Sequence, residues 1–183
     1  MQVGVAALVF AAIPLPGYPA AAQSELTAPL IAVIDVQRVM RDSTAVQSLQ
    51  ERIETLRGSY QDELRKEEEE LRVANQELVR QRTVLSAEIF AQKRNDLEQR
   101  VAALQRDAQG KKRSIDQLFA GGLTQIQKSI TKVASDIATA RGFDLVLNGS
   151  AAILFKPEYD ITEDVIKRLN ETLVQVDLPS LGN

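Results

Sequence analysis

AVQSLQERIETLRGSYQDELRKEEEELRVANQELVRQRTVL (Ala45–Leu85) runs directly into SAEIFAQKRNDLEQRVAALQRDAQGKKRSIDQLFAGGLTQIQKSITKVASDIATA (Ser86–Ala140) without a single proline. Only Gly58, Gly110 and the Gly121-Gly122 pair interrupt a run of strong helix formers. A stretch of that length cannot fold as one globular helix, so it projects as a coiled coil or doubles back as a helical hairpin. Its apolar positions fall at Val46, Leu49, Ile53, Leu56, Tyr60, Leu64, Leu71, Ala74, Leu78 and Leu85, in steps of mostly three and four. That spacing is a coiled-coil seam. A matching seam returns through Leu97, Val101, Leu104, Ala108, Ile115, Phe119, Leu123, Ile126, Ile130, Val133 and Ile137. Two successive steps of four, at Leu56–Tyr60–Leu64 and at Ile115–Phe119–Leu123, are stutters that locally unwind a supercoil.

The reversal is expected near Leu85-Ser86, where Ser86 can cap the returning helix and Glu88 falls in its first turn. Forty-one residues from Ala45 to Leu85 would make an arm of about 60 Å at the rise of an α-helix. Glu67, Gln81, Lys111 and Lys112 stand at or beside expected apolar positions towards the far end, so the seam is thin there.

Outward from the arm, the flanks read as strands. Leu30–Ile34 is a short apolar run with the β-branching of a strand buried on both faces. Asp35 can cap a short helix through Met40, and Ser43 or Thr44 can cap the long region. Gly142 suits a helix C-terminus. Phe143–Leu147 and Ser150–Phe155 flank Asn148-Gly149, the strongest short-range signal for a hairpin with a type I′ turn. Pro157 ends the second run. Thr162 would cap a last helix, with Glu163 and Asp164 in its first turn and Val165, Ile166, Leu169 and Leu173 on its apolar face. Three strands and one helix make a small head near the lower limit of independent stability, with open strand edges that invite pairing with other copies. Ile31, Val33, Leu145, Leu147, Ile153 and Phe155 are the expected contacts of that shared head. The fold class is therefore α+β, a small β head carrying a long helical hairpin.

Val3–Ile13 (VGVAALVFAAI) is an uncharged apolar run closed by Pro14, Pro16 and Gly17. It is shorter than the roughly 20 residues a membrane span needs. With Ala20-Ala21-Ala22 behind it, it reads as a signal peptide over residues 1–22, cleaved before Gln23, although no Lys or Arg precedes the run. The remaining divisions are 23–44 for the first strand and short helix, 45–141 for the arm, and 142–183 for the rest of the head.

Composition narrows the chemistry. The 183 residues contain no His, no Cys and no Trp. Thiolate or imidazole metal sites and Cys–His or Ser–His–Asp nucleophile systems are thereby excluded. Aromatics are 4% and charged residues 26% of the chain, the profile of long helices rather than of a pocketed enzyme. No enzymatic activity and no cofactor are expected. Net charge is −3, yet residues 1–79 carry −5, residues 80–140 carry +5 and residues 141–183 carry −3. Arg80, Arg82, Lys93 and Arg94 cluster at the expected tip, and Lys111, Lys112 and Arg113 follow on the returning helix. They are either a solvated face paired with Glu67–Glu70 opposite, or a positive surface for acidic partners or lipid headgroups. Gly121 and Gly122 cost a helix about 2 kcal/mol against alanine, which calls for a reason: close packing of helices, or a hinge.

With these elements in order, the mature chain resembles the Skp/OmpH family of periplasmic chaperones. The resemblance rests on Ile31-Ala32-Val33-Ile34-Asp35-Val36-Gln37-Arg38-Val39, on Leu147–Phe155 (LNGSAAILF) and on Asp160–Ile166 (DITEDVI). It implies a homotrimer whose strands form an intersubunit β-barrel, three arms enclosing a cavity for unfolded outer-membrane proteins, a periplasmic location and no need for ATP. The sequence contains no Gly-rich phosphate loop, in keeping with that. One departure is the charge: well-studied members are strongly basic, so capture of acidic clients or lipopolysaccharide does not follow from the resemblance alone. An alternative reading is a structural coiled-coil spacer or adaptor of the envelope, which needs no apolar surface left open. Nucleic acid is not an expected partner, since the basic arm lacks interleaved aromatics.

Overall fold

The computed structural model describes residues 28–179, and the expected signal peptide lies outside the described residues. The chain runs β1 (Ile31–Ile34), α1 (Val36–Asp42), α2 (Thr44–Arg80), α3 (Ala87–Arg141), β2 (Leu145–Asn148) and α4 (Thr162–Thr172). Short 3-10 turns occupy Gln81–Thr83, Gly149–Ala151 and Pro157–Tyr159. At helical rise, the 37 residues of α2 span about 55 Å and the 55 residues of α3 about 80 Å.

Local chemistry sets the helix ends. The Asp35 side chain accepts from the Arg38 N–H and starts α1. Ser43, fully buried, accepts from the Val46 N–H and starts α2. The 3-10 turn then reverses the chain, and Ser86 accepts from the Ile89 N–H to open α3, with Glu88 in the first turn. Each cap satisfies one of the donors that a helix start leaves orphaned. At the far end Gly142 takes φ 72°, the left-handed conformation that glycine adopts without a Cβ penalty.

β1 and β2 pair in parallel, with Ile31 opposite Leu145 and Ile34 opposite Asn148. Asp144 closes the start of the ladder, its carboxylate accepting from the Leu30 N–H at 2.8 Å and its own N–H donating to the Leu30 carbonyl at 2.8 Å. Adjacent parallel strands need a crossover, and here the crossover is the entire arm. The core sits where that arm meets the head. Ala32 and Ile34 of β1, Leu49 and Ile53 of α2, Ile126, Ile130 and Val133 of α3, and Val165 and Leu169 of α4 form one buried cluster.

Two expectations for the head are corrected. Ser150–Phe155 does not fold back as a strand on β2, and Asn148-Gly149 makes no type I′ turn. Asn148 has φ −70°, and its side chain accepts from the Ser150 N–H at 3.2 Å. That local Asx turn satisfies the backbone where a hairpin would need positive φ at both positions. Nor does Thr162 cap α4. Asp160 accepts from the Thr162 N–H at 2.9 Å, and the buried Thr162 hydroxyl oxygen instead accepts from the Asp35 N–H at 2.9 Å. Asp160 thus serves the helix while Thr162 ties α4 to the β1–α1 junction. Arg38 pairs with Glu163 across the same junction.

Thr162→Val keeps the shape of the side chain but leaves the Asp35 N–H unpaired in a part-buried site. Urea unfolding should report a loss of about 1–3 kcal/mol, while Thr162→Ser should stay near the parent. Equal stability of the valine variant would remove Thr162 from this role.

Candidate functional site

The two arm helices are packed tightly only at the root. Leu49, Ile53, Ile115 and Ile126 are buried, whereas further out Leu78 is the one buried seam residue among those described. Tyr60, Leu64, Leu71, Ala74, Leu97, Leu104 and Ala108 are half-buried, and Val101, expected on the seam, is exposed. Three clefts open along the arm. One of about 600 Å3 lies among Tyr60, Glu67, Leu71, Arg100, Leu104 and Lys111. A second of about 460 Å3 lies beside Arg57, Leu64, Ala108, Lys112 and Asp116. A third of about 300 Å3, nearer the tip, lies beside Ala74, Gln81, Lys93 and Leu97. Polar side chains at seam level and the α2 stutter account for this: supercoil phase is lost where Glu67, Gln81, Lys111 and Lys112 replace apolar knobs.

Tyr60 sits between the first two clefts. Its hydroxyl is buried and has no hydrogen-bond partner. Burial, and then the carboxylates of Asp107, Glu67 and Glu63, push the phenol above its usual range.

The basic residues do not converge on a single site. Arg80 lies 3.9 Å from Glu77 and Arg94 2.9 Å from Glu98, each on its own helix. Lys93 donates to the Gln81 side-chain oxygen at 3.3 Å across the reversal. Arg82 and Arg113 are exposed and form no ion pair among the described residues. Lys111 faces the cleft of about 600 Å3 with Glu63, Glu67, Glu70 and Asp107, and Lys112 lines the cleft beside Asp116. Glu69 is taken up by Arg72 on its own helix, and that hydrogen-bonded guanidinium holds its carboxyl below the usual range. Among the described residues, Arg57–Asp116 at 3.1 Å is the one ion pair joining α2 to α3. Exposed pairs of this kind contribute little stability; at the tip Arg80, Arg82 and Arg94 stand exposed, while Lys93 borders the smallest of the three clefts.

The glycine pair divides. A Cβ at Gly122 would lie 2.7 and 2.8 Å from the Leu49 methyls, while one at Gly121 would meet nothing within 4 Å. α3 continues unbroken through both. Gly122 is a close-approach residue at the arm root.

On the head, one face of the two-stranded sheet is lined by residues 152–159 and by no α-helix, with Val33 buried and Ile31 and Leu147 half-buried. Ile31, Val33, Leu147, Leu154 and Phe155 border an apolar cleft of about 680 Å3. Ile153 is 106% and Leu154 91% exposed, and Leu145 is exposed at the sheet edge. Sequence reasoning missed two features. Val73, Val79, Val84 and Ile89 stand exposed on the arm off the seam; a search for apolar residues out of heptad phase would have found them. The segment after α4, with Val176 buried and Leu178 packed on the core, carried no periodic signal to find.

Comparison with known proteins follows this geometry. A crystal structure of a candidate outer membrane chaperone (OmpH-like) from Caulobacter crescentus CB15 superposes with a TM-score of 0.74 at 19% identity, covering 85% of this chain and 93% of that one. At that identity the likeness is one of fold. No curated protein matches the sequence. The family described as Outer membrane protein (OmpH-like) matches residues 30–169, from the first residue before β1 to the last buried leucine of α4. The chain belongs to the OmpH-like family.

Proposed function

We propose that this chain is a periplasmic, ATP-independent holdase that keeps unfolded outer-membrane proteins soluble between its helical arms. Family membership supports a chaperone role. The observation that carries the finer reading is the arm itself: a long hairpin with its own seam thinned by polar residues, and with Val73, Val79, Val84, Ile89 and Val101 exposed along it. Scattered apolar side chains on a charged rod can make many weak contacts with an unfolded chain, with no preformed pocket. A spacer would have no need of them, although single exposed apolar residues are ordinary on protein surfaces. The apolar cleft on that sheet face, with Ile153 and Leu154 exposed beside it, supports assembly. Ile31, Val33, Leu147 and Phe155 would meet their counterparts in two further copies, closing the open edge of β2 and forming the shared barrel of a homotrimer.

The holdase reading predicts that the mature chain suppresses aggregation of a urea-denatured β-barrel protein on dilution, with no change on adding or removing nucleotide. A protein that leaves aggregation untouched is a spacer.

Assembly is tested at Ile153, which makes no cover within its own chain. The parent should sediment as a trimer in analytical ultracentrifugation, and Ile153→Asp should convert it to monomer at unchanged helix content, because a carboxylate would be buried unpaired at the interface. A parent chain that is monomeric at micromolar concentration contradicts the barrel.

For the tip, changing Arg80, Arg82, Lys93 and Arg94 together to Gln preserves helix formers. Steering acts over a Debye length of about 8 Å at physiological salt. Stopped-flow capture of an acidic client should therefore be slower for the variant at low salt, the gap closing as salt rises, with dissociation moving less. Equal capture rates at low salt make the four residues a solvated face.

A further inference from the structure

The family match ends at residue 169, but the chain goes on to wrap the base of the arm. After α4 closes at Thr172, residues 173–179 run without regular structure across α2 and α3. Val176 is buried in the main core, and Leu173 and Leu178 pack against it. The Arg52 guanidinium of α2 donates to the Val176 carbonyl at 2.6 Å, and the Gln125 amide of α3 donates to the Asp177 carbonyl at 3.4 Å. One short segment is thus bonded to both arm helices. Its bonds go to backbone carbonyls, so they hold the path of the chain and not the identity of its side chains.

The position is specific. The segment crosses at the level of Leu49, Arg52, Gly122 and Gln125. Beyond the Ile53–Ile115 level the seam loosens into clefts. Gly122 lies beneath the crossing: a Cβ there would stand 2.7 and 2.8 Å from Leu49 and 3.4 Å from the Leu178 side chain. Absence of a side chain at Gly122 lets Leu49 and Leu178 share the surface of α3. At Gly121, next to it, that space is empty, so the helix cost of the second glycine is offset by a contact that only the second one makes.

We infer that residues 173–179 form a strap that clamps the arm root to the head and limits how far the arm swings. The strap continues from α4, which the Thr162 hydroxyl ties to β1 and α1, so it couples the rigid part of the head to the helices at the point where they leave it. Releasing it would widen the motion of the arm without unfolding the hairpin. The clamp is a property of the arm root whatever the arm holds.

Because the chain has no cysteine, spin labels can be placed at T83C, in the reversal, and K167C, on the exposed side of α4. Full-length protein mixed with an excess of unlabelled chain gives one labelled copy per assembly. The tip-to-head distance distribution should at least double in width when Val176→Ser and Leu178→Ser are combined, at unchanged helix content. Gly122→Ala, which must displace Leu49 and crowd Leu178, should broaden it as well. Arg52→Gln removes only the bond to the Val176 carbonyl and should broaden it less, covering the case in which the double variant fails to fold. Val174→Ser, at an exposed strap position, should leave the width unchanged. Identical widths in the parent, Gly122→Ala and Arg52→Gln proteins would overturn the strap, as would equal broadening by Val174→Ser.

Discussion

The structure depends on the parallel pairing of β1 with β2. Parallel neighbours cannot be joined by a tight turn, so the chain must leave the sheet and come back on the same side. Here the whole distance is taken up by α2 and α3. The pairing brings the start of α2 (Ala45, Val46) and the end of α3 (Val133, Ala134) to the same small core and so closes the arm at its base. Ala32 and Ile34 on one face of β1 pack against α2, α3 and α4, while Ile31 and Val33 lie on the opposite face. A sheet of two strands can be covered on one side only by the helices its own chain supplies. The other side is left for something else.

Packing strength falls off with distance from that base. At the root, aliphatic side chains from three helices and β1 interlock, and each is expensive to remove. Beyond Ile53 and Ile115 the arm has two helices and a seam broken by Glu67, Gln81, Lys111 and Lys112. Two helices alone bury little surface, and most helical stability in proteins comes from such burial. The arm is built to be rigid where it is held and loosely joined where it is free. Its caps at Ser43 and Ser86 and its good helix formers keep each helix intact while the contact between them opens into clefts. Under the proposed function that combination is what a client-holding surface would need: an arm that persists as a shape without spending its apolar side chains on itself.

Much of this was legible in the sequence, and the failures have two causes. Ser86 and Gly142 could be placed, and the α2 cap narrowed to Ser43 or Thr44, because a cap depends on residues within one turn. The thin seam could be read because coiled-coil phase is a periodic signal. The 150–155 hairpin was missed because Asn148-Gly149 has two local solutions, a type I′ turn or an Asx turn, and the sequence signal favours the first. Thr162 was assigned to the wrong partner because its contact, Asp35, is 127 residues away. The strap was invisible for the same reason: Val176 and Leu178 matter only against Arg52 and Gly122. The glycine pair could be recognised as costly, but only the fold distinguishes the packed Gly122 from the open Gly121. Of the tip cations, Arg80 and Arg94 pair with Glu77 and Glu98 on their own helices, in place of the cross-arm pairing with Glu67–Glu70 that sequence spacing suggested.

The central claim is that the arm, and not the head, holds an unfolded chain. Photo-crosslinking tests it most directly. A photoreactive residue is placed in turn at Tyr60, Val73, Val84 and Val101 on the arm and at Leu145 and Ile153 on the head, in complex with a denatured β-barrel protein. The account predicts client crosslinks at every arm position, each spread over many client sites, and few or none from the head. Crosslinks confined to the head, with none between residues 60 and 125, would contradict it.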